Sequence, residues 1–145
     1  MSLPNPQPGH VLRYAYLWTH EFDQGLEEGR KDRPVAVVMT VKTEDGATRV
    51  AAVPITHTPP DDANAAIEIP PAIKAMLHLD DARSWIAVTE INVFVWPGPD
   101  LRPVDRGGAA EFIYGALPER FFRTVRDRLV ANMRAGSVRQ VPRTE

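Results

Sequence analysis

A mainly β chain with one C-terminal helix, in the form of a small, strongly bent antiparallel barrel with that helix packed against it, is the fold class the sequence predicts. Three observations carry this. Five to seven short apolar runs, mostly in hairpin order, are separated by turn-forming residues. The chain holds 14 prolines in 145 residues, about twice the ordinary share of roughly 5%, which disfavours long helices outside the C-terminus. Only LPERFFRTVRDRLVANMRAG places apolar residues at a sustained helical spacing. No βαβ alternation, Gly-rich phosphate loop or internal repeat is present.

Taken in order, residues Met1 to Gly9 hold three prolines and read as an extended lead-in. In HVLRYAYLW, Val11, Arg13, Ala15 and Leu17 alternate with Leu12, Tyr14, Tyr16 and Trp18, the pattern of a strand with an aromatic face. In a domain this small such a face belongs to the core, although aromatic rings can also stack unpaired bases. Thr19 to Asp32 is polar, has no periodicity and reads as a long loop.

Pro34 to Val41 and Thr48 to Ile55 are Val-rich strand candidates, and Glu44-Asp45-Gly46 between them supplies the Asp-Gly pair that hairpin turns favour. Antiparallel pairing then brings Arg33, entering one strand, and Thr56, leaving the other, to the same end of the sheet. Further along, Ile67 to Ile69 is a short strand candidate and Ala72 to Leu77 one or two helical turns begun by prolines. Ser84 to Thr89 and Asn92 to Trp96 follow as strands, PGPDLRPVDRGG as loop, and Ala110 to Tyr114 as a weaker strand.

In the C-terminal helix Pro118 suits the first turn, Glu119 complements the positive end of the dipole and Gly136 is placed as a C-cap. Phe122, Val125, Leu129 and Met133 form the stripe that should face the sheet, with Arg120, Arg123, Arg126, Arg128 and Arg134 on the solvated side. Residues 137–145 are expected to form a mobile tail.

The length suits one domain spanning residues 1–145, with its core in about residues 8–134. A hydrophobic share of 43% and a charged share of 25% are those of a soluble globular protein. Cysteine is absent, the first residues lack a basic start and an apolar run, and nowhere do 18 apolar residues follow one another. A soluble, cytoplasmic protein without a membrane partner is therefore expected. A net charge of -2 argues against a surface uniformly attractive to nucleic acid, but not against a local basic site. The groups His20-Glu21-Phe22-Asp23 and His57 with Asp61 and Asp62 match no metal-ligand spacing, and no nucleophile elbow is present, so neither a metal nor another cofactor is expected.

The succession PGHVLRYAYLW, a polar loop, RPVAVV, AAVPIT, DDARSWIAVTEIN and a C-terminal helix is similar in order and spacing to the MazF/PemK family of toxins from bacterial toxin-antitoxin systems. The resemblance spans about residues 8–134. It implies an SH3-like barrel, a homodimer, metal-independent cleavage of single-stranded RNA by attack of its own 2′-hydroxyl, growth inhibition, and a cognate antitoxin peptide that blocks the site. In the family an Arg before Pro at the start of the second strand and a Thr at the end of the third are the catalytic pair; these positions correspond to Arg33 and Thr56. The chemistry suits them, because a guanidinium is a planar set of donors matched to phosphate oxygens and a hydroxyl adds another.

Arginine stays protonated and so serves charge stabilisation, whereas a histidine exchanges protons near neutral pH. His57 is accordingly a third catalytic candidate, provided the strand has ended before Pro59 and Pro60, since successive strand residues face opposite ways. His20, Arg30, Lys31, Asn92, Trp96 and Arg102 are expected to contact the RNA. The chain departs from the family at Asn92-Val93-Phe94, where members carry an Arg, often as Arg-x-Asp, and in a longer, proline-rich stretch between Thr56 and Ser84. In the WPGPDLRP turn, Trp96, Asp100 and Arg102 can rebuild the missing contact, or the turn is a rigid structural loop. The acidic residues Glu21, Asp23, Glu27 and Glu28 weaken RNA affinity. A barrel that binds RNA or a protein without catalysis is the alternative.

Overall fold

The hairpin expected from Pro34 to Ile55 lies at the centre of the main sheet. A computed structural model describes residues 5–25, 31–98, 100–106 and 109–143. In chain order the first strands are β1 (His10–Tyr14), β2 (Arg33–Lys42) and β3 (Thr48–Thr56), with the short helix α1 (Thr19–Asp23) between β1 and β2. β2 and β3 pair antiparallel across the expected turn, where Gly46 takes φ 86°, a left-handed conformation that glycine adopts at no steric cost. The Thr43 hydroxyl bonds the Asp45 carboxylate, and the Thr43 amide donates to the Ala47 carbonyl at 2.9 Å, closing the turn.

Around this hairpin lie β4 (Ala66–Glu68), helix α2 (Pro71–Met76), β5 (Trp85–Ala87), β6 (Glu90–Trp96), a separate two-stranded ribbon of β7 (Val104–Arg106) and β8 (Ala109–Glu111), then β9 (Ile113–Ala116), helix α3 (Glu119–Arg134) and β10 (Arg139–Pro142). The main sheet runs β10-β6-β3-β2-β1-β9, while β4 and β5 join at the far end of β3. β3 bends the sheet because it changes partner: Thr48 to Ala52 pair with β6, and Ile55 and Thr56 pair with β5.

The chain is mainly β with a C-terminal helix, as the sequence predicts. Ten strands are present among the described residues, more than the five to seven expected. The sheet is open, with β9 and β10 at its ends, and the β10–β6 pair is parallel where the others are antiparallel.

The two faces of the central strands carry separate cores, as period-2 alternation requires. Val11, Ala36, Val53 and Ile55 pack on one side, with Val125 and Leu129 of α3. Leu12, Tyr14, Tyr16, Val35, Val37, Val50 and Phe94 pack on the other, with Tyr14 stacked on Phe94 at 4.5 Å. The predicted helical stripe is shorter than expected: Val125 and Leu129 are buried, whereas Met133 is 41% exposed.

Two segments differ from expectation more sharply. The polar stretch after Trp18 holds α1, because carboxylates satisfy its first amides: Trp18 N–H donates to Glu21 and Thr19 N–H to Glu90, each at 3.0 Å. The C-terminal stretch expected to be a mobile tail instead holds β10. Arg139 forks onto Asp23 of α1 at 2.9 and 3.2 Å, and Arg143, fully buried, bonds Asp100 and the Ala15 carbonyl at 2.7 Å each.

Candidate functional site

Carrying the Val35–Pro54 register two residues further sets Arg33 opposite Thr56, where equal parity places both side chains on the same face. On its other flank Arg33 pairs with Tyr14 of β1. That face is the one bearing the aromatic core, so the Arg33–Thr56 pair continues the row Leu12, Tyr14, Val35, Val50 to the rim of the sheet.

Arg33 is half-buried and its guanidinium lies 4.9 Å from the centroid of the Trp18 ring, a cation–π contact. Its buried Nε has no partner, and no hydrogen bond or ion pair among the described residues reaches the group. Burial pushes its pKa down, while the neighbouring acidic groups, Glu21 foremost, push it back up. An arginine so placed is still a cation. Thr56 is half-buried; its Oγ1 accepts the Thr58 amide at 3.2 Å, which leaves the hydroxyl hydrogen available to a ligand.

Two cavities open on this pair. One, of about 500 Å³, is walled by Trp18, His20, Lys31 and Pro60 beside Arg33 and Thr56. The other, of about 430 Å³, adds His57, His78, Asp80 and Lys74 to the same two residues and Lys31. Both fall in the size range of small-molecule sites, roughly 300–1,000 Å³. Arg33, Thr56 and Lys31 therefore stand on a shared rim, with a compartment on each side.

The first compartment has an aromatic wall. Trp18 meets Tyr16 edge-on at 5.3 Å and lies nearly parallel to the His20 ring at 6.3 Å. Behind it, Glu90 accepts the Tyr16 hydroxyl at 3.2 Å and the Thr19 amide at 3.0 Å. Burial raises the Glu90 carboxyl above its ordinary range, against the opposing pull of those hydrogen bonds. Burial also raises the Tyr16 phenol, and neighbouring Glu90 adds to this, so Tyr16 stays protonated and donates.

Of the residues the sequence nominated, Arg33, Thr56, His57, His20 and Lys31 converge on these compartments. Arg102 stands close by: its Nε is 3.4 Å from Asp32, the neighbour of Arg33, and Arg13 approaches the same carboxylate at 3.6 Å. Arg30 lies outside the described residues, as do Glu27 and Glu28. Trp96 does not join the site, because it pairs with Thr48 at the opposite end of β3 from Thr56.

Asn92 is a correction. It is 0% exposed and clamps the chain beside α1, accepting the Leu17 amide at 2.8 Å and donating to the Leu17 carbonyl at 2.7 Å. Arg143 Nη1 adds a bond to Asn92 Oδ1 at 3.0 Å. An amide enclosed in this way contacts no RNA. Asp100, offered from the same turn, is likewise 5% exposed and bound to Arg143.

Sequence reasoning assigned Trp18 to the aromatic core and gave no place to Glu90, Lys74, His78 or Asp80. Trp18 ends the alternating aromatic run, and its position at the end of that run was the available signal. Nothing in the spacing of Lys74, His78 and Asp80 marks them, since a helix end and a loop bring them together. Among the described residues, no cluster of three or more His, Asp or Glu is arranged to hold a metal, and no helix is long and apolar enough to cross a membrane. Compared with known proteins, the chain matches no family model and no curated protein.

Proposed function

We propose that this protein is a metal-independent endoribonuclease that cleaves single-stranded RNA and inhibits growth as the toxin of a toxin-antitoxin pair. The observation that supports it most is the Arg33 guanidinium, unpaired among the described residues, with the Thr56 hydroxyl beside it on the rim between two cavities.

A group of this kind is complementary to an anion that gains charge during the reaction. When an RNA 2′-oxygen attacks the adjacent phosphorus, negative charge develops on the non-bridging oxygens. Arg33 and Thr56 donate hydrogen bonds to those oxygens, and because the donors are already in place, little reorganisation accompanies the step. The flanking nucleosides then extend into the two compartments, where Trp18 and His20 offer rings for a base to stack on and Lys31 offers a cation to the backbone. A homodimer and an antitoxin peptide occupying the same groove belong to this reading through the resemblance alone.

The test is incubation of the purified protein with mixed-sequence RNA in EDTA. The expected result is cleavage to fragments ending in 2′,3′-cyclic phosphate, abolished by Arg33→Ala. A second reading, a non-catalytic module that binds RNA or a protein in the same groove, is favoured by the enclosure of Asn92, which leaves the site without a counterpart of the family's further Arg. RNA left intact in EDTA, together with unimpaired bacterial growth on induction, would transfer the conclusion to that module.

A further inference from the structure

The second compartment contains more proton-transfer chemistry than Arg33 and Thr56 use. Two histidines reach it from different parts of the chain, His57 from just beyond β3 and His78 from just beyond α2. Both are exposed enough to meet a ligand.

His57 is oriented. Its Nε2 lies 2.7 Å from Asp80 Oδ2, and Asp80 Oδ1 receives the Lys74 ammonium at 2.5 Å. Lys74 is 4% exposed and also donates to Ser84 Oγ at 2.6 Å and to the Ala82 carbonyl, so the cation is fixed to the loop that carries Asp80. Burial works against an ionised Asp80, but the hydrogen bonds from Lys74 and His57 outweigh it and hold the carboxyl below its usual range. An ionised carboxylate only accepts, so the neutral form of the His57 imidazole carries its hydrogen on Nε2 and keeps the Nδ1 lone pair for a substrate.

His78 occupies a position at which a glycine is the ordinary choice. Its φ is 56°, and it closes α2: its own amide donates to the Ala75 carbonyl at 3.1 Å and the Leu79 amide to the Lys74 carbonyl at 3.0 Å. These two bonds are the helix-ending motif whose left-handed residue is most often Gly. A histidine there carries a backbone penalty that glycine avoids, and the residue lines the cavity shared with Arg33 and Thr56.

Resting on the ribonuclease reading above, we propose that His57 and His78 carry the two proton transfers of the cleavage, with Asp80 as the positioning residue for His57. His57 Nδ1 takes the 2′-hydroxyl proton as the bond from O2′ to phosphorus forms. The bond from phosphorus to O5′ breaks with its electron pair on O5′, which takes a proton from the His78 imidazolium. The products are a 2′,3′-cyclic phosphate and a 5′-hydroxyl, and exchange with water returns each histidine to its starting form.

The experiment compares one RNA with the same RNA carrying sulfur at the bridging 5′ position, whose thiolate leaves without a proton. Wild type should cleave both. His78→Gly should melt no lower than wild type, lose about 100-fold or more on the oxygen substrate, as removal of a general acid does, and return to within about tenfold of wild type on the sulfur one. His57→Gln should lose comparably on both substrates. Asp80→Asn should lower kcat with KM unchanged and gain nothing from sulfur. His78→Asn, which tolerates the same backbone, should repeat the glycine result. Wild-type cleavage with both His78 variants at the wild-type rate, or equally impaired on oxygen and sulfur, overturns the assignment while leaving the ribonuclease in place. No cleavage by wild type removes both.

Discussion

Two arginines on the same face of the sheet lie against aromatic rings, Arg143 over Tyr14 at 5.2 Å and Arg33 over Trp18 at 4.9 Å. Around the first, the protein supplies the partners: Asp100 at 2.7 Å, the Ala15 carbonyl at 2.7 Å and Asn92 at 3.0 Å. Around the second it supplies a ring, nearby carboxylates and two cavities, but no hydrogen bond or ion pair among the described residues. The same side chain is thus structural where protein acceptors hold its terminal nitrogens, and is available to a ligand where none does so among the described residues.

The comparison breaks most visibly at Arg143. Its removal leaves the Asp100 carboxylate buried without this partner, a situation that typically costs about 3–5 kcal/mol. Arg143→Ala should lower the urea midpoint accordingly and detach β10, yet leave RNA cleavage per folded molecule unchanged. Loss of cleavage in proportion beyond the unfolded fraction would mean that the two arginines are not separate in function.

At Arg33 the expected signature is reversed. Arg33→Ala removes a half-buried charge that has no hydrogen bond or ion pair among the described residues, so stability should move by no more than about 1 kcal/mol in either direction. Cleavage should fall about 100- to 1,000-fold, as when one preorganised donor to a developing oxyanion is deleted. A melting temperature lowered as far as that of Arg143→Ala would make Arg33 a structural residue and remove the contrast.

The legibility of the chain follows the same division between local and distant causes. The β2–β3 hairpin was readable because Asp45-Gly46 and the flanking Val-rich runs specify turn and register locally, and that register alone brings Arg33 to Thr56. α1 was not, because Glu90 from 71 residues away satisfies one of its first amides. β10 was not, because RQVP has no pattern of its own and its neighbour Arg143 is held by Asp100, 43 residues earlier. Asn92 was visible as a departure from the family, but only its enclosure by Leu17 and Arg143 reveals its work. His57 and Arg33 were readable as residue types, whereas His78 required knowledge of where α2 ends.

Thr56 gives a smaller effect than Arg33. Valine keeps the β-branched shape that the strand uses and removes only the hydroxyl, whose internal bond is the long one from Thr58 N–H at 3.2 Å. Thr56→Val should therefore leave the thermal midpoint almost unmoved and reduce cleavage about 10- to 100-fold, the usual worth of a hydrogen bond to a charged group. Equal activity in the variant would assign the phosphate contact to Arg33 alone.

The smallest effect tests whether the carboxylate behind Arg33 belongs to the chemistry or to the scaffold. Burial raises the Glu90 carboxyl, so the folded state holds this proton more tightly than the unfolded chain does. Its contribution favours folding below the ordinary carboxylate range and is lost as pH rises through the elevated folded value. Glutamine keeps an oxygen for Tyr16 and Thr19 but cannot ionise. Glu90→Gln should consequently gain stability relative to wild type as pH rises above the ordinary carboxylate range, by under about 1 kcal/mol because the group is only partly enclosed. Cleavage should be unchanged or slightly raised, since a negative charge acting on Arg33 has been removed and the guanidinium faces phosphate with less competition. A large loss of cleavage with normal stability would instead place Glu90 among the reacting groups, and the contrast between an arginine held by the protein and one open to a ligand would need a third member.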